Sequence, residues 1–569
     1  MNNIKEKYKL SLMIVLYMFS ICVLYNLFKL FKIVHCLNII QCISVIIPLL
    51  LYFKISKKNT KIMTVTTYLF LILILPFMFT KTYDLTVDGN SYHKTAIGLM
   101  NEGWNPIYES SSDFNSRTLG KLSEHTKDSN SLNKVDLWID HYPKASYFIE
   151  TVIYSYTNNI ESGKCITILL DISLVLLVLS ILEDKIGKTK AIIISILIGL
   201  NPIVLSQMFT FYVDGLMGIL FGIELLLLYQ TKIYEKKYDL NFLYLMCCCG
   251  IFVNLKYTGL LYSGLIAAVY YFYYLIRNKK NRFETFKNMT IKFSIIFIIA
   301  IGFIGCSSYI KNTIDHHNPL YPIIGEDKVD IITMMYPDNY DKMNGLERFV
   351  NSIYSRTENL GRNKGNTTIK NPFKIYSSEM DTIALPDTRI GGFGPLFGLV
   401  TSFTILLLII LIAKKIKKEK LDININIILF SISIILSMIL VGESWWARYV
   451  PQFYYLIFTV MFIFYKNIKN TKLNNIFMSI LIIAILTNSS LFIYNRMKDI
   501  NTFKNIQEDL NYLSNQNNNE LMLSNPELYG YYYNLKDKNI KYIINNNLKE
   551  DEIRYIYSWR MKLKLWKII

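Results

Sequence analysis

Residues Leu10–Phe28 read LSLMIVLYMFSICVLYNLF, an apolar run without a single Asp, Glu, Lys or Arg. A helix over such a run rises about 28 Å, the thickness of a bilayer's hydrocarbon core. Comparable runs recur at Cys36–Phe53, Ala191–Phe209 and Ile476–Tyr494. The first has a Lys-containing leader, as a signal peptide has, but no small-residue cleavage site follows it, so it reads as a retained span.

Extending that reading along the chain places about thirteen spans near residues 10–28, 36–54, 63–80, 165–182, 191–209, 212–230, 241–256, 258–276, 290–310, 395–413, 424–441, 447–466 and 475–494. The expected fold is an all-α polytopic membrane protein with large outer loops and a small C-terminal α/β appendage. Composition agrees: 52% of the 569 residues are hydrophobic and 18% charged, against about a quarter charged in soluble proteins. Disorder, collagen, a disulfide scaffold and a single-domain soluble enzyme are excluded. The eight cysteines lie in or beside apolar segments with no zinc or disulfide spacing in the loops.

The net charge of +18 is first a topology signal. With the N-terminus in the cytoplasm, every short basic loop falls on that side: Lys54 to Lys61, Lys185 to Lys190, Lys232 to Lys237, Arg277 to Arg282, Lys414 to Lys420 and Lys466 to Lys472. An odd number of spans puts the C-terminus outside, in what is expected to be the plasma membrane. Residues 81–164, 311–394 and 495–569 then lie on the outer side. The first of these is acidic up to residue 145, with nine Asp or Glu against seven Lys or Arg, so the basic excess is no nucleic-acid-binding patch. Three units follow: two N-terminal spans over 1–62, a core over 63–494, and a small outer tail over 495–569. The tail alternates an extended run (Glu520–Ser524), a Tyr-rich helical run after Pro526 and a second extended run (Asn539–Ile544). Tyr147–Tyr156, aromatic but too short to span, is expected as a helix lying in the membrane interface.

The outer segment Tyr83–Tyr108, YDLTVDGNSYHKTAIGLMNEGWNPIY, is the richest in chemistry. Asp84 and Asp88 would share a face if the third span's helix continued through them, and Asp88 would N-cap a helix starting there. A carboxylate at the water interface, walled by Tyr92, His93 and Trp104, can have its pKa raised enough to act as a general base. The plainer alternative is that Asp88 only caps the helix and Trp104 only anchors the interface. Arg448, in Gly442–Gln452 (GESWWARYVPQ), could bind a phosphate bidentately; equally it could pair with Glu443 or snorkel. Lys256 in NLKYTG is a weaker candidate of the same kind. Adjacent His316 and His317 after Asp315 point apart on an extended chain and make a poor metal site. Asp214 and Glu224 are ionisable groups at the end of a span and within it, and each is a functional candidate unless a neighbouring helix satisfies it. No Walker A loop, GxSxG elbow, HExxH or paired CxxC occurs.

Taken in order, Asp88-x-x-x-Tyr92-His93, Trp104-Asn105-Pro106, His141-Tyr142-Pro143, Asn201-Pro202, Tyr212-Val213-Asp214, Asn254-Leu255-Lys256, Asn318-Pro319-Leu320-Tyr321-Pro322 and Ala447-Arg448-Tyr449 resemble the integral-membrane glycosyltransferases of the GT-C class. The resemblance covers roughly residues 63–500. It implies a polyprenyl-phosphate-linked sugar as donor and a lipid, glycan or protein hydroxyl as acceptor. It also implies an outer-loop Asp as catalytic base and basic side chains on the donor phosphate. Asp88 best matches the base, with Asp84 as its competitor and His93 beside it; Arg448 and Lys256 match the phosphate-binding role. Two spans precede the one leading into the catalytic loop where the family's pattern has one, so the first two read as an addition. No cofactor is implied, and divalent-metal dependence is left open. The alternatives are a lipid-linked oligosaccharide polymerase or ligase, and a lipid or glycan transporter or flippase. Against the transporter stand the absence of a repeat and the concentration of polar residues in the loops.

Overall fold

A computed structural model describes residues 5–34, 36–56, 61–119, 132–326, 328–330, 332–383, 385–515, 521–524, 529–540, 542–544, 554–556 and 561–565. The protein is predominantly helical. Among the described residues, eight helices are long and apolar enough to cross a membrane: Glu6–Leu30, Leu37–Ser56, Ile62–Phe79, Ile160–Ile186, Tyr257–Arg277, Lys279–Ile304, Phe397–Ile416 and Thr471–Ser514. Leu240–Phe252, Ile425–Val441 and Phe453–Asn467 are apolar but shorter. Large side chains such as Ile409, Ile412, Ile439 and Ile483 remain exposed along these helices, as suits a multi-pass protein whose outer faces meet lipid.

The remaining expected spans are cut down by local chemistry. The run 191–209 breaks after Gly199 because Asn201 turns its side-chain oxygen to the Ile203 N–H and Pro202 opens a new short helix, Pro202–Gln207. The next helix, Asp214–Gln230, then starts with an acidic residue in its first turn, where the helix dipole favours a negative charge.

The first helix lies inside the bundle. Ser11 Oγ donates to the Ser173 carbonyl at 2.6 Å and shares a hydroxyl network with Ser173 and Tyr244. The last long helix, Thr471–Ser514, is capped by Asn470 through the Leu473 N–H; at about 66 Å it must project well past one membrane face. Beyond it, strands Leu521–Ser524, Tyr542–Ile544, Arg554–Ile556 and Met561–Leu565 form one small sheet. Leu521–Ser524 pairs in parallel with Tyr542–Ile544 and antiparallel with Met561–Leu565, which also pairs with Arg554–Ile556. Glu520 of the expected extended run lies outside the described residues.

The helix Gly530–Asp537 between the first two strands docks on the segment 81–164. Asp537 accepts from the Tyr154 hydroxyl at 2.6 Å and the Ile160 N–H at 2.8 Å. Asn534 and Lys94 meet the fully buried Glu161, which also pairs with Lys164.

Two expectations change in residues 81–164. Tyr147–Tyr156 belongs to the helix Ala145–Thr157, which does not turn an apolar face outward: it is buried from Ala145 to Tyr154, because its apolar residues pack against the first helix and the Lys94–Glu102 helix. Trp104 is no interfacial anchor either, being fully buried with its indole N–H directed at the Glu109 carbonyl.

Candidate active site

The Ile62–Phe79 helix ends in a turn, and Thr82 to Thr86 run without helical structure before a new helix begins at Val87. Asp84 and Asp88 therefore do not share a helix face. The cap is also different from the one expected. The Thr86 hydroxyl accepts the Gly89 N–H at 3.1 Å, whereas the Asp88 side chain makes no capping bond. Thr86 satisfies the helix end and leaves the Asp88 carboxylate uncommitted to the backbone.

The two acids consequently sit in different environments. Asp84 is fully buried, with one oxygen accepting from the Thr86 N–H at 2.7 Å and the other from the Phe211 N–H at 2.8 Å. Burial raises its pKa, while Lys94 and Lys164 pull the other way. It joins two loops and faces no open space. Asp88 has a side chain 30% exposed and lies 3.6 Å from Arg448.

Around Asp88 the chain gathers charges from distant segments. Arg448, on the single turn Ala447–Tyr449, has its Nη1 2.7 Å from Asp387 Oδ1 and 3.6 Å from Asp88 Oδ2, with its Nε 3.9 Å from Asp214 Oδ2. Its guanidinium lies over the Trp446 ring at 4.6 Å and near Tyr212 and Tyr449 at 5.3 Å each. Lys256, at the mouth of the Tyr257–Arg277 helix, donates to Asp214 Oδ1 at 2.8 Å and sits 4.5 Å over Tyr449. Gln207 steadies the other side of Asp214: its carbonyl accepts the Gly215 N–H at 2.8 Å, and its amide reaches Asp214 Oδ2 at 3.4 Å. Asn201, which broke the span, donates to the Pro451 carbonyl at 3.0 Å and so holds the Arg448 segment down.

Arg448 is thus neither snorkelling nor paired with Glu443. It is buried, and Glu443 instead accepts from Tyr336 and Trp445. The contact between Arg448 and Asp387 is close but out of line with the N–H bonds, so Arg448 Nε and Nη1 and Asp387 Oδ1 remain without hydrogen-bond partners among the described residues. Buried polar atoms left in that condition are rare in folded proteins.

His93 is also brought here. It closes a π-helical turn, Gly89–His93, and is buried among Tyr92, Tyr147 and Tyr212, with Nδ1 unpartnered. Burial pushes its pKa down to about 3, with Asp214 opposing and Lys256 and Arg448 adding to the shift. It is a neutral imidazole throughout the physiological range and no titrating base.

Asp387, in the long segment 311–394, is the member that sequence reasoning missed. Burial raises its pKa to about 6 against the pull of Arg448, with Asp88 adding to the rise. Its surroundings, Leu385-Pro386-Asp387-Thr388-Arg389, carry no periodicity to mark it among the many acids of that loop.

The other candidates lie elsewhere. His316 stacks on Tyr321 with ring centroids 3.7 Å apart, beside His141, and His317 ends its helix in the left-handed conformation. Glu224 accepts from Ser263 within the bundle at 3.1 Å. No group of three or more His, Cys, Asp or Glu side chains is arranged to hold a metal ion among the described residues.

Three carboxylates (Asp88, Asp214, Asp387) and two cations (Lys256, Arg448) therefore share one aromatic-walled cluster with a net charge of minus one. Such a cluster can accept a proton at Asp88 and stabilise an anion at Arg448 and Lys256 without rearranging the backbone. In comparisons with known proteins, no family model matches the chain, and neither a curated protein nor a solved structure shows significant similarity to it.

Proposed function

We propose that the protein is a membrane glycosyltransferase of GT-C type that moves a sugar from a polyprenyl-phosphate donor to a hydroxyl acceptor at the non-cytoplasmic face. The observation that carries the reading is the meeting of an open carboxylate, Asp88, with a buried guanidinium, Arg448, 3.6 Å away, whose Nε and Nη1 lack hydrogen-bond partners among the described residues. A general base and an anion holder side by side are what transfer from a lipid phosphate requires.

In this reading Asp88 takes the acceptor's hydroxyl proton as the acceptor oxygen bonds to the anomeric carbon. The bond from that carbon to the phosphate oxygen breaks, its electron pair stays on the phosphate, and Arg448 and Lys256 balance the charge. Asp387 holds Arg448 until the donor phosphate replaces it. His93, being neutral, positions a hydroxyl and does not relay protons. Asp84 stays outside the chemistry and fixes the loop that carries Asp88.

The reading includes the topology inferred from the basic loops: cytoplasmic N-terminus, about thirteen spans when Lys188–Gly199 and Asp214–Gln230 are counted with the eleven long and shorter apolar helices, and residues 81–164, 311–394 and the tail outside. The tail's sheet and helix would form the small α/β appendage on that side. The isoprenoid chain would lie between spans, with its phosphate at the level of Arg448.

The test is direct. Purified protein is given a panel of polyprenyl-phosphate hexoses and a membrane extract as acceptor, and release of polyprenyl phosphate is followed together with labelled sugar in product. Appearance of both in equal amounts supports transfer. Movement of the intact labelled lipid across a vesicle membrane, with no covalent change, would replace this reading with the transporter.

A further inference from the structure

The helix Asp214–Gln230 starts in the charge cluster, and its second half, from Gly222 to Tyr229, about 12–22 Å further along, lines a separate cavity. That cavity, of about 690 Å³, lies between the helices Ile166–Ile186, Lys188–Gly199, Ile425–Val441, Phe453–Asn467 and Thr471–Ser514. Its volume is within the roughly 300–1,000 Å³ of small-molecule sites. Its depth is apolar, walled by residues such as Leu174, Ile194, Phe430 and Met478. Its mouth is basic, with Lys185, Lys190 and Lys466.

The lysines at the mouth are largely unneutralised. Lys185 donates to the Tyr229 hydroxyl and sits 4.1 Å over that ring; Lys190 does the same with Tyr465 at 4.7 Å. Neither has a carboxylate partner among the described residues. The nearby acids are already engaged: Asp184 pairs with Lys5 at 2.8 Å and Glu183 with Lys7 at 2.8 Å. Lys466 has Asp422 at 3.3 Å.

From this combination we infer a binding site for an anionic phospholipid at the membrane face opposite the charge cluster. The headgroup phosphate would lie at Lys185 and Lys190, and an acyl chain would fill the cavity between the helices. An apolar chamber of this size open toward a bilayer takes a hydrocarbon chain, and a paired-lysine mouth without acidic partners selects a negative headgroup over a zwitterionic one. The tyrosine hydroxyls hold both lysines at the rim. The inference does not rest on the proposed transferase activity, since none of these residues belongs to the charge cluster.

The experiment uses the full-length protein in phosphatidylcholine nanodiscs with trace photoactivatable lipids carrying the reactive group on the acyl chain. One probe is a phosphatidylglycerol, the other a phosphatidylcholine. Cross-linked peptides from residues 166–198 and 425–482 should be enriched for the phosphatidylglycerol probe. At about 1 kcal/mol per lysine, Lys185→Gln with Lys190→Gln should cut that preference roughly thirty-fold. Ile194→Trp, which fills the cavity and keeps both lysines, should block labelling of these peptides by either probe. Unfolding in phosphatidylcholine alone, unchanged from wild type, checks that both variants fold. Equal labelling by the two probes, or an unchanged preference in the double lysine variant, would overturn the site as ordinary boundary lipid. Inorganic phosphate competing as tightly as the phospholipid would overturn it too, because the chain would then contribute nothing.

Discussion

Replacing Asp88 with Asn separates chemistry from architecture in this cluster, because the charges around it can be counted. Wild type holds Asp88, Asp214 and Asp387 against Lys256 and Arg448, so Asp88→Asn leaves two acids facing two cations. Arg448 keeps Asp387 at 2.7 Å and Lys256 keeps Asp214 at 2.8 Å. The helix cap is untouched, since it belongs to Thr86. Stability should therefore change by no more than about 0.5 kcal/mol. Turnover should fall on the order of 10²- to 10⁴-fold, the usual worth of a positioned general base. Asp214→Asn provides the contrast: it removes the carboxylate shared by both cations and strands the buried Lys256, which should cost about 3–5 kcal/mol. Both variants are measured in one detergent by chemical unfolding and by polyprenyl phosphate release. Asp88→Asn turning over within a few-fold of wild type would remove Asp88 as the base. Asp88→Asn losing as much stability as Asp214→Asn would show that the cluster is held together by Asp88 and refute the charge count.

Asp84→Asn should lower stability by about 1–3 kcal/mol, because the Thr86 and Phe211 N–H groups lose a charged acceptor; the same unfolding measurement checks it, and intact stability would contradict its structural placement. Arg448→Lys keeps the charge but loses the planar fork, so donor KM should rise and turnover fall with the fold intact; unchanged donor affinity in Arg448→Ala would take Arg448 out of the site. Asp387, with its pKa raised to about 6 chiefly by burial, is charged above that pH and neutral below it. Lowering the pH through about 6 should release Arg448 and tighten donor binding in wild type, Asp387→Asn should bind tightly at both pH extremes, and His93→Gln should leave the pH profile where it was, since His93 titrates near 3. A Cβ on Gly530 would stand 2.7 Å from the Asn90 carbonyl, so Gly530→Ala should loosen the tail helix at a cost of about 1–3 kcal/mol, read as faster proteolysis after residue 515. Cysteines at Ser112, Lys364 and Asn515 should all react with an impermeant thiol reagent in intact cells; protection of one alone would mean the span count is off by one between them.

The helices were legible because a lipid-facing segment must be apolar over a fixed length, and that signal survives without knowledge of the neighbours. Arg448, Lys256, Asp88 and Asp214 stood out for the same reason: a charge at the end of an apolar run is costly enough to be conspicuous. What stayed hidden depends on partners far along the chain. Asp387 looks like any loop acid until Arg448 is placed 2.7 Å away. Asp88 could be preferred over Asp84 only by its match to the family pattern; what ties Asp84 down is the Phe211 N–H, over a hundred residues downstream. The Ala145–Thr157 helix has the length and aromatic content of an interfacial helix, and only the packing of the first helix against it makes it interior. The break at Asn201-Pro202, where a continuous span over 191–209 was expected, did have a local signal, a capping Asn before a helix-opening Pro.

That break also explains how the cluster can exist. A continuous span through 191–209 would carry Gln207 onward in regular helix, with no turn to bring it back over the start of Asp214–Gln230. Ending the helix at Gly199 frees Asn201 to reach the Pro451 carbonyl and lets Gln207 fold over the N-terminus of the next helix, where it accepts the Gly215 N–H and supports Asp214. Asp214 is then held from three directions, by Gln207, Lys256 and the helix dipole. It can remain charged while buried, and through it Lys256 and Arg448 are kept together. Asp88 faces this assembly from a helix whose end is already capped by Thr86, so its carboxylate is the one in the cluster with the least structural work to do.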